Sequence, residues 1–526
     1  MITVTAPNTL TDAAILYNAR DVVATRMLVD KLDAEFTPAA RWIYHFMMDL
    51  QRAFMIIDSR GLLLDETKAL AKHNQCLARC ARLGKWARAH VQHHLSPTWE
   101  FSIGSATQVK TALYGEGDVA PCPICNNTGR VVTQNAVCEP TGEVYKSGPR
   151  KGEPKMRVLK ERSRRCTSPH IHPGYGLTPY VHHKTKKPTI IRPKLQLLVE
   201  RESGTPAARL ARARLLYERY RKIISFLKAP RAPNGTFPFS TNVPGTKTLR
   251  FTTKKNLWGE GASVQNLDKK EIEPLLIPDP GYWLGSRDLS RAESHLLARL
   301  AQDNSYIEAH EGPYDTHVYV ASLCWPQYPW TGDPAKDLKI ATTTYIHGRK
   351  LRDMSKAVQH AIGRLGTKYA IARTTKTTLA FADEVLEAFK AKFPKTIAYL
   401  NEFWYSLRHT EVLTVDFGTA LWQFPVVGNP YDVETARQMI SNVLQSGVWY
   451  VAAEGMRRCW VELDSKAPIR GVGEFQLLRN KHDAFDYQIQ KGHEHLDAEV
   501  DKYMRVPLII HGKPLIIPNE GGLVLT

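Results

Sequence analysis

Tyr282-Trp-Leu-Gly-Ser-Arg-Asp288-Leu-Ser-Arg-Ala-Glu293-Ser-His295-Leu-Leu-Ala-Arg-Leu300 changes its hydrophobic period half-way along. Its first part reads as a short apolar strand running into Asp288. From there Ala292, Leu296, Leu297 and Leu300 have the 3–4 spacing of an amphipathic helix. The junction puts one carboxylate at a strand end and another, Glu293, on the first helical turn. A second strand-like run, Gln476-Leu-Leu-Arg-Asn-Lys-His482-Asp483-Ala-Phe-Asp-Tyr, also carries a carboxylate at its tip. Two aspartates brought together by two strands can hold two divalent cations roughly 3.5–4 Å apart, which suits displacement at phosphorus. Between them, Arg352-Asp-Met-Ser-Lys356-Ala-Val-Gln-His360 sets Arg352, Lys356 and His360 on one helical face, matched to a triphosphate and its base. Strand-end aspartates and basic helix faces are each common; their ordered combination carries the inference.

The whole chain fits that chemistry. It has 526 residues, 43% apolar and 23% charged, which excludes wholesale disorder and predicts more than one domain. No run of about 18 apolar residues is present, and no basic segment leads into an apolar one near Met1. The expectation is a cytoplasmic protein with no membrane partner. Lys and Arg number 71 against 52 Asp and Glu, a formal charge of +19 that suggests a polyanionic partner. The surplus is uneven: from Thr141 to Glu200 there are fourteen basic and four acidic residues.

Eight cysteines are scattered as expected in a reducing compartment. Cys122-Pro-Ile-Cys125-Asn-Asn-Thr-Gly129 has the form of one zinc knuckle, two thiolates around a tight turn. The other ligands are drawn from Cys138, Cys166, His170 and His172; no second CxxC decides among them, and Cys122, Cys125, Cys138 and Cys166 form the candidate set. Cys76 and Cys80, spaced i and i+4 on a helix, read as packing residues.

The periodicity predicts a short helical segment within residues 1–35 and helix from Ala39 to about His94, broken by a turn at Asp58-Ser-Arg-Gly61. Residues 115–190 read as an insertion without a core of its own apart from any metal site. A long basic helix spans Ala207 to Leu227, with strands alternating with helices beyond it.

In this order the segments resemble the three motifs of family A DNA polymerases, the bacterial DNA polymerase I and phage replicase group. Asp288, Ser290 and Glu293 match the family's Asp-Tyr-Ser-Gln-Ile-Glu, the second segment its Arg-x3-Lys-x3-aromatic helix, and the third its His-Asp core. Supporting matches are Arg250-Phe-Thr-Thr, Asn256-Leu-Trp-Gly-Glu-Gly, Val264-Gln265-Asn266-Leu, Asp315-Thr-His317, Arg437-x7-Gln445 and Ile509-Ile-His-Gly-Lys.

The resemblance implies an α+β fold, a right hand with a palm built on an antiparallel sheet, helical fingers and a helical thumb. It implies a template-directed, DNA-dependent DNA polymerase adding dNTPs to a primer 3′-OH, with a leaning toward phage replication. Asp288 and Asp483, helped by the Leu289 carbonyl, would ligate two Mg²⁺. Lys356, Arg352 and His317 would hold the triphosphate, Lys356 also protonating the leaving pyrophosphate. His360 would pack on sugar and base, and Glu293 would exclude a ribose 2′-OH. Arg250, Gln265, Asn266, Arg437, Gln445 and His482 would contact primer and template DNA.

The domains expected are an exonuclease-like remnant (1–38), thumb and connecting helices (39–114), a basic Cys-rich insertion with a candidate Zn²⁺ (115–180), thumb (181–240), palm (241–325), fingers (326–420) and palm (421–526). Tyr17-Asn-Ala-Arg-Asp21 resembles the last motif of a 3′–5′ exonuclease, but the Asp-x-Glu pair such a domain needs ahead of it is missing. The expectation is a polymerase without proofreading in this chain, an exonuclease either lost or encoded separately. Five positions depart from the family: Arg364-Leu365 replaces Tyr-Gly, Ala484 an acidic residue, Arg287 a small one and Ser441 an Asn. Glu293 argues against single-subunit RNA polymerases; the departures leave a non-catalytic, polymerase-derived DNA-binding protein as the alternative. The insertion either lies along duplex DNA or binds a processivity partner.

If it follows the duplex, replacing Arg162, Arg164 and Arg165 by Ala lowers DNA affinity and flattens its salt dependence by roughly 0.9 log units per log unit of salt for each phosphate no longer neutralised. An unchanged slope in a salt titration points to the partner.

Overall fold

A computed structural model describes residues 23–31, 34–97, 99–115, 130–134, 137–144, 154–159, 162–165, 174–181, 185, 188–243, 245–265, 267–418 and 420–524, those between 130 and 165 by backbone alone. It is a mixed α+β structure that divides into two compact units, formed by the described residues of Asp65–Ala229 with Asp268–Leu275 and of the remainder.

The Asp65–Ala229 unit is built on two long helices, Glu66–His94 and Pro206–Leu227. Asp65 and Thr205 cap them, each side chain accepting a backbone N–H of the first turn. Between them Val91, Phe101, Ile103, Leu113, Leu198 and Leu210 form a core. Cys76 and Cys80 are buried, and burial raises both thiol pKa values, as packing residues require. Within 115–180 the backbone forms two antiparallel strand pairs, Arg130–Gln134 with Arg162–Arg165 and Val137–Val144 with Pro154–Leu159. Its Gly, Pro and charge content, read above as an insertion without a core of its own, gives no strand signal. The β-branched Val131, Val132, Val137, Val144 and Val158 outweigh those signals locally. Tyr17, Asp21, Cys122, Cys125, Cys166, His170, His172 and Asn266 lie outside the described residues, as do the side chains of Cys138 and the three arginines of Arg162–Arg165.

The larger unit is organised by ten elements: α1 (Pro38–Arg60), β1 (Tyr282–Leu289), α2 (Ala292–Leu300), α3 (Thr316–Cys324), α4 (Leu351–Ile362), α5 (Val433–Glu462), β2 (Phe475–Asn480), β3 (Ala484–Gln490), α6 (Leu496–Met504) and β4 (Asn519–Val524). The four strands form one antiparallel sheet in the order β2-β3-β1-β4, the kind of sheet expected. The period change inside the opening stretch is the end of β1 and the start of α2. The chain turns between them through Arg291, at φ 52°. The break at Asp58–Gly61 also falls as expected: α1 ends there, with Gly61 at φ 65°. A side chain at Gly61 would meet the Phe237 carbonyl at 2.9 Å, so the turn needs glycine twice over.

α5 is buried along most of its length, with Trp449, Met456 and Cys459 inside. One charged pair is fully enclosed. Arg60 at the end of α1 donates from Nη1 and Nη2 to Asp464 at 2.7 and 2.6 Å, and also reaches the Ala467 and Leu477 carbonyls. Both side chains are 0% exposed. A desolvated pair is worth little over an apolar substitute, but removing one partner strands a buried charge. Asp464→Ala is therefore expected to cost about 3–5 kcal/mol in denaturant unfolding. Most of that returns in the double variant Arg60→Met/Asp464→Leu.

Candidate active site

Asp288 lies at the end of β1, between Ala484 of β3 and Glu520 of β4 in the register. The turn from β2 to β3 is tight: Lys481 N–H donates to the Ala484 carbonyl at 2.7 Å, and His482 sits at φ 78°. It is braced from beneath. Asn480 accepts the His482 N–H at 2.9 Å and a bond from the Gln265 side chain at 3.4 Å. The Leu289 N–H donates to the Asp483 carbonyl at 3.0 Å, so the two aspartates are neighbours by backbone hydrogen bonding before any side chain acts.

They open onto a cleft of ≈ 410 Å³ that also includes Leu289, Glu293, His317, Arg352, Lys356, His360 and Glu520. Its cationic wall is α4, where the i, i+4, i+8 spacing brings Arg352, Lys356 and His360 to one side. Arg352 donates to Asp315 at 2.7 Å. Burial opposes ionisation of Asp315, but the Arg352 bond and charge hold its carboxyl below the ordinary value. The same Asp315 caps α3 through the His317 and Val318 amides at 2.9 and 3.1 Å. His317 is 4% exposed. Burial, aided by Arg352 and Lys356 and opposed by Asp315, pushes its pKa down to about 3, so the ring is neutral at physiological pH.

Glu293 is gripped by two arginines. Arg364 donates to its two carboxylate oxygens at 2.8 and 3.1 Å, and Arg250 adds a bond at 3.3 Å. Arg364 follows the end of α4, where the chain folds back so that the Gly366 N–H donates to the Ala361 carbonyl at 2.8 Å. A Cβ on Gly366 would lie 2.2 Å from that carbonyl, so this close return needs glycine.

No protein-family model matches the chain. It is 25% identical over 191 residues to DNA polymerase I of Caldicellulosiruptor bescii, a match covering 35% of this chain and 20% of that relative's length. Its structure matches the POL domain of Pol1 from M. smegmatis, solved in complex with DNA primer-template and dNTP. That likeness has a TM-score of 0.63 at 16% identity and covers 90% of this chain and 69% of the other. The fold is that of a family A DNA polymerase domain.

The polymerase fold brings most of the expected residues together. Asp288, Leu289, Glu293, His317, Arg352, Lys356, His360 and Asp483 line one cleft. Arg437 lines an adjoining one of ≈ 510 Å³, which shares His360 and adds Lys247, Arg364 and Arg373. Arg250, Gln265, Gln445 and His482 line neither. Gln265 is 7% exposed and braces the Asp483 turn. Glu520, Asp315 and Arg364 were not among the residues expected at the site. Glu520 comes from a strand whose sequence carries no motif, and only the β1–β4 register reveals it. Arg364 reads in sequence as a missing aromatic, whereas in the fold it is a new ion pair. The position of Arg287 is likewise filled: it donates to Asp497 at 2.5 Å and to Asn519 at 3.0 Å, tying β1 to α6 and β4.

Among the described residues no three His, Cys, Asp or Glu side chains form a ready-made metal site. Asp288, Asp483 and Glu520 bring carboxylates to the cleft beside Leu289. Such hard oxygen donors suit Mg²⁺, which commonly takes one or two carboxylates and completes its shell with water and substrate phosphate.

A neutral His317 leaves the charge of the cationic wall to Arg352 and Lys356. Between about pH 6 and 8 His317 stays above its folded pKa, so its charge does not change. Titrating the histidines by NMR is expected to show no protonation of His317 in that window.

Proposed function

We propose that the chain is a template-directed DNA polymerase, extending a primer 3′-OH with dNTPs and releasing pyrophosphate. What carries this reading is the convergence, in one cleft, of two strand-end aspartates with Arg352 and Lys356 from α4. The whole-protein activity of the curated relative is not transferred by a match over 20% of its length. The proposal rests on this chain's own residues and on the likeness of its fold.

Asp288 and Asp483, with the Leu289 carbonyl, would hold Mg²⁺. Bound there, Mg²⁺ would supply a lowered pKa for the attacking hydroxyl and compensation for charge on the leaving oxygens. Arg352, Lys356 and the His317 Nε2 side of the cleft bind the triphosphate. The primer oxygen bonds to the α-phosphorus as its proton leaves, and the bond from that phosphorus to the bridging oxygen breaks. Lys356 delivers a proton to the departing pyrophosphate. His360 packs against sugar and base, and Glu293, fixed by Arg364 and Arg250, closes the space a ribose 2′-OH would enter. Arg437 and Gln445 on α5, with Arg250, Asn266 and His482, contact primer and template. The long basic helices of Asp65–Ala229 follow duplex phosphates as a thumb. Replication of a phage or viral genome, absence of proofreading, a structural Zn²⁺ on the insertion cysteines, and a separate exonuclease or processivity factor belong to the same proposal.

Primer extension tests it. Asp288→Ala and Asp483→Ala are each expected to lower the rate on the order of a thousandfold, ~4 kcal/mol of barrier. Wild-type extension by Asp288→Ala would show the metal assignment to be wrong. Lys356→Ala should cost about 10²–10⁴ in rate. Glu293→Ala should retain dNTP addition while gaining rNTP addition. A labelled mismatched primer with Mg²⁺ and no dNTPs should stay full length.

A further inference from the structure

We propose that Gln359 is a positioning residue for the nucleotide: it holds His317 as the Nε2–H tautomer, so that a neutral imidazole donates one hydrogen bond to the triphosphate beside Arg352 and Lys356. This deepens the polymerase reading and rests on it for the identity of the ligand. The tautomer itself follows from groups in the protein.

Gln359 lies on α4 between Lys356 and His360 but faces inward, 5% exposed. Its Nε2 stands 3.0 Å from His317 Nδ1 and 3.0 Å from the Ser355 hydroxyl oxygen. Its Oε1 accepts from the Tyr306 hydroxyl at 3.2 Å. Tyr306 is 1% exposed and burial pushes its pKa up, so its hydroxyl keeps a proton to give to Oε1, with the Ser294 side chain as a second hydrogen-bond partner. With Oε1 occupied by Tyr306, the amide turns its N–H groups toward Ser355 and His317. An N–H directed at Nδ1 requires a lone pair there, and in a neutral imidazole the proton must then be on Nε2.

The charged and titratable groups acting on His317 come from two helices: Arg352, Lys356 and His360 on α4, and Asp315 at the start of α3. Only Asp315 favours a proton on the ring, and it is already bonded to Arg352 at 2.7 Å. The ring therefore stays neutral, and its tautomer decides whether the cleft meets a donor or a lone pair. A lone pair turned toward phosphate oxygen would repel it. Tyr306 and Gln359 together prevent that, and neither needs to touch the nucleotide.

The test has two arms. In protein labelled with [¹⁵N]histidine, His317→Ala identifies the His317 resonances. The wild type should show an unprotonated Nδ1 and a protonated Nε2. The isosteric Gln359→Glu places an acceptor against Nδ1 and should move a proton onto it. A wild-type Nδ1–H, or no change in Gln359→Glu, overturns the assignment; if Gln359→Glu does not fold, Gln359→Met should populate both tautomers instead. In the second arm, Gln359→Leu should raise the dNTP KM about tenfold or more with a smaller change in kcat, and should add nothing in a His317→Ala background. A full effect in that background means that Gln359 acts structurally and refutes the positioning role. If the tautomers are as assigned but the wild type extends no primer, the polymerase reading fails and the His317–Gln359 assignment stands.

Discussion

Everything at the cleft depends on one short piece of β-ladder. Where β1 ends, its backbone is bonded on one side to the turn that carries Asp483 and on the other to the segment leading into β4. The Leu289 N–H to Asp483 carbonyl bond and the Ser290 N–H to Pro518 carbonyl bond pin the strand end from both flanks at 3.0 and 2.8 Å. Side chains alternate along a strand, so a slip of one residue would carry Asp288 to the opposite face. Register therefore does what flexible side chains could not, holding two like charges close in the absence of a cation. Arg287, one residue before Asp288, strengthens this by tying the strand to Asp497 and Asn519.

The second organising feature is that arginines in and around the cleft are already engaged by carboxylates. Arg352 is held by Asp315, and Arg364 and Arg250 by Glu293. Such pairs position long side chains while limiting the repulsion among neighbouring positive groups. On the proposed polymerase reading, an incoming triphosphate would exchange one anionic partner for another rather than ordering a free arginine. Lys356, on the same helix as Arg352, lines the cleft and forms no ion pair among the described residues, which on that reading would leave it to meet phosphate directly.

The legible part of this molecule was the part with a period. The strand-to-helix switch at Asp288, the i, i+4, i+8 face of α4, the turn at Asp58–Gly61 and the basic helix near 207–227 are local patterns, and local sterics enforce them. The site residues that carry motifs were legible for the same reason. Glu520 was not, because its relation to Asp288 exists only through pairing between strands distant in sequence. The strand pairs within 115–180 were hidden by composition, since Gly, Pro and charged residues surround the few valines there. Arg364 was visible as a departure, but its bond with Glu293 depends on how the chain turns back after α4. Gln359 was in plain view between two expected residues, yet nothing in its spacing announces that it faces the interior.

The ladder also has a consequence for how the molecule is made. β1 lies between β3 and β4 in the sheet, but both partners are translated long after it. Until they arrive, an eight-residue strand with Tyr282 and Leu289 among its buried residues has two unpaired edges. Such edges invite pairing with other chains, and contacts of large sequence separation form slowly. The charged residue Arg287 on that strand gives it some protection in the meantime, since an unpaired arginine disfavours edge-to-edge stacking. Maturation of the sheet and assembly of the reactive centre are thus one event, and a chain caught before it has neither.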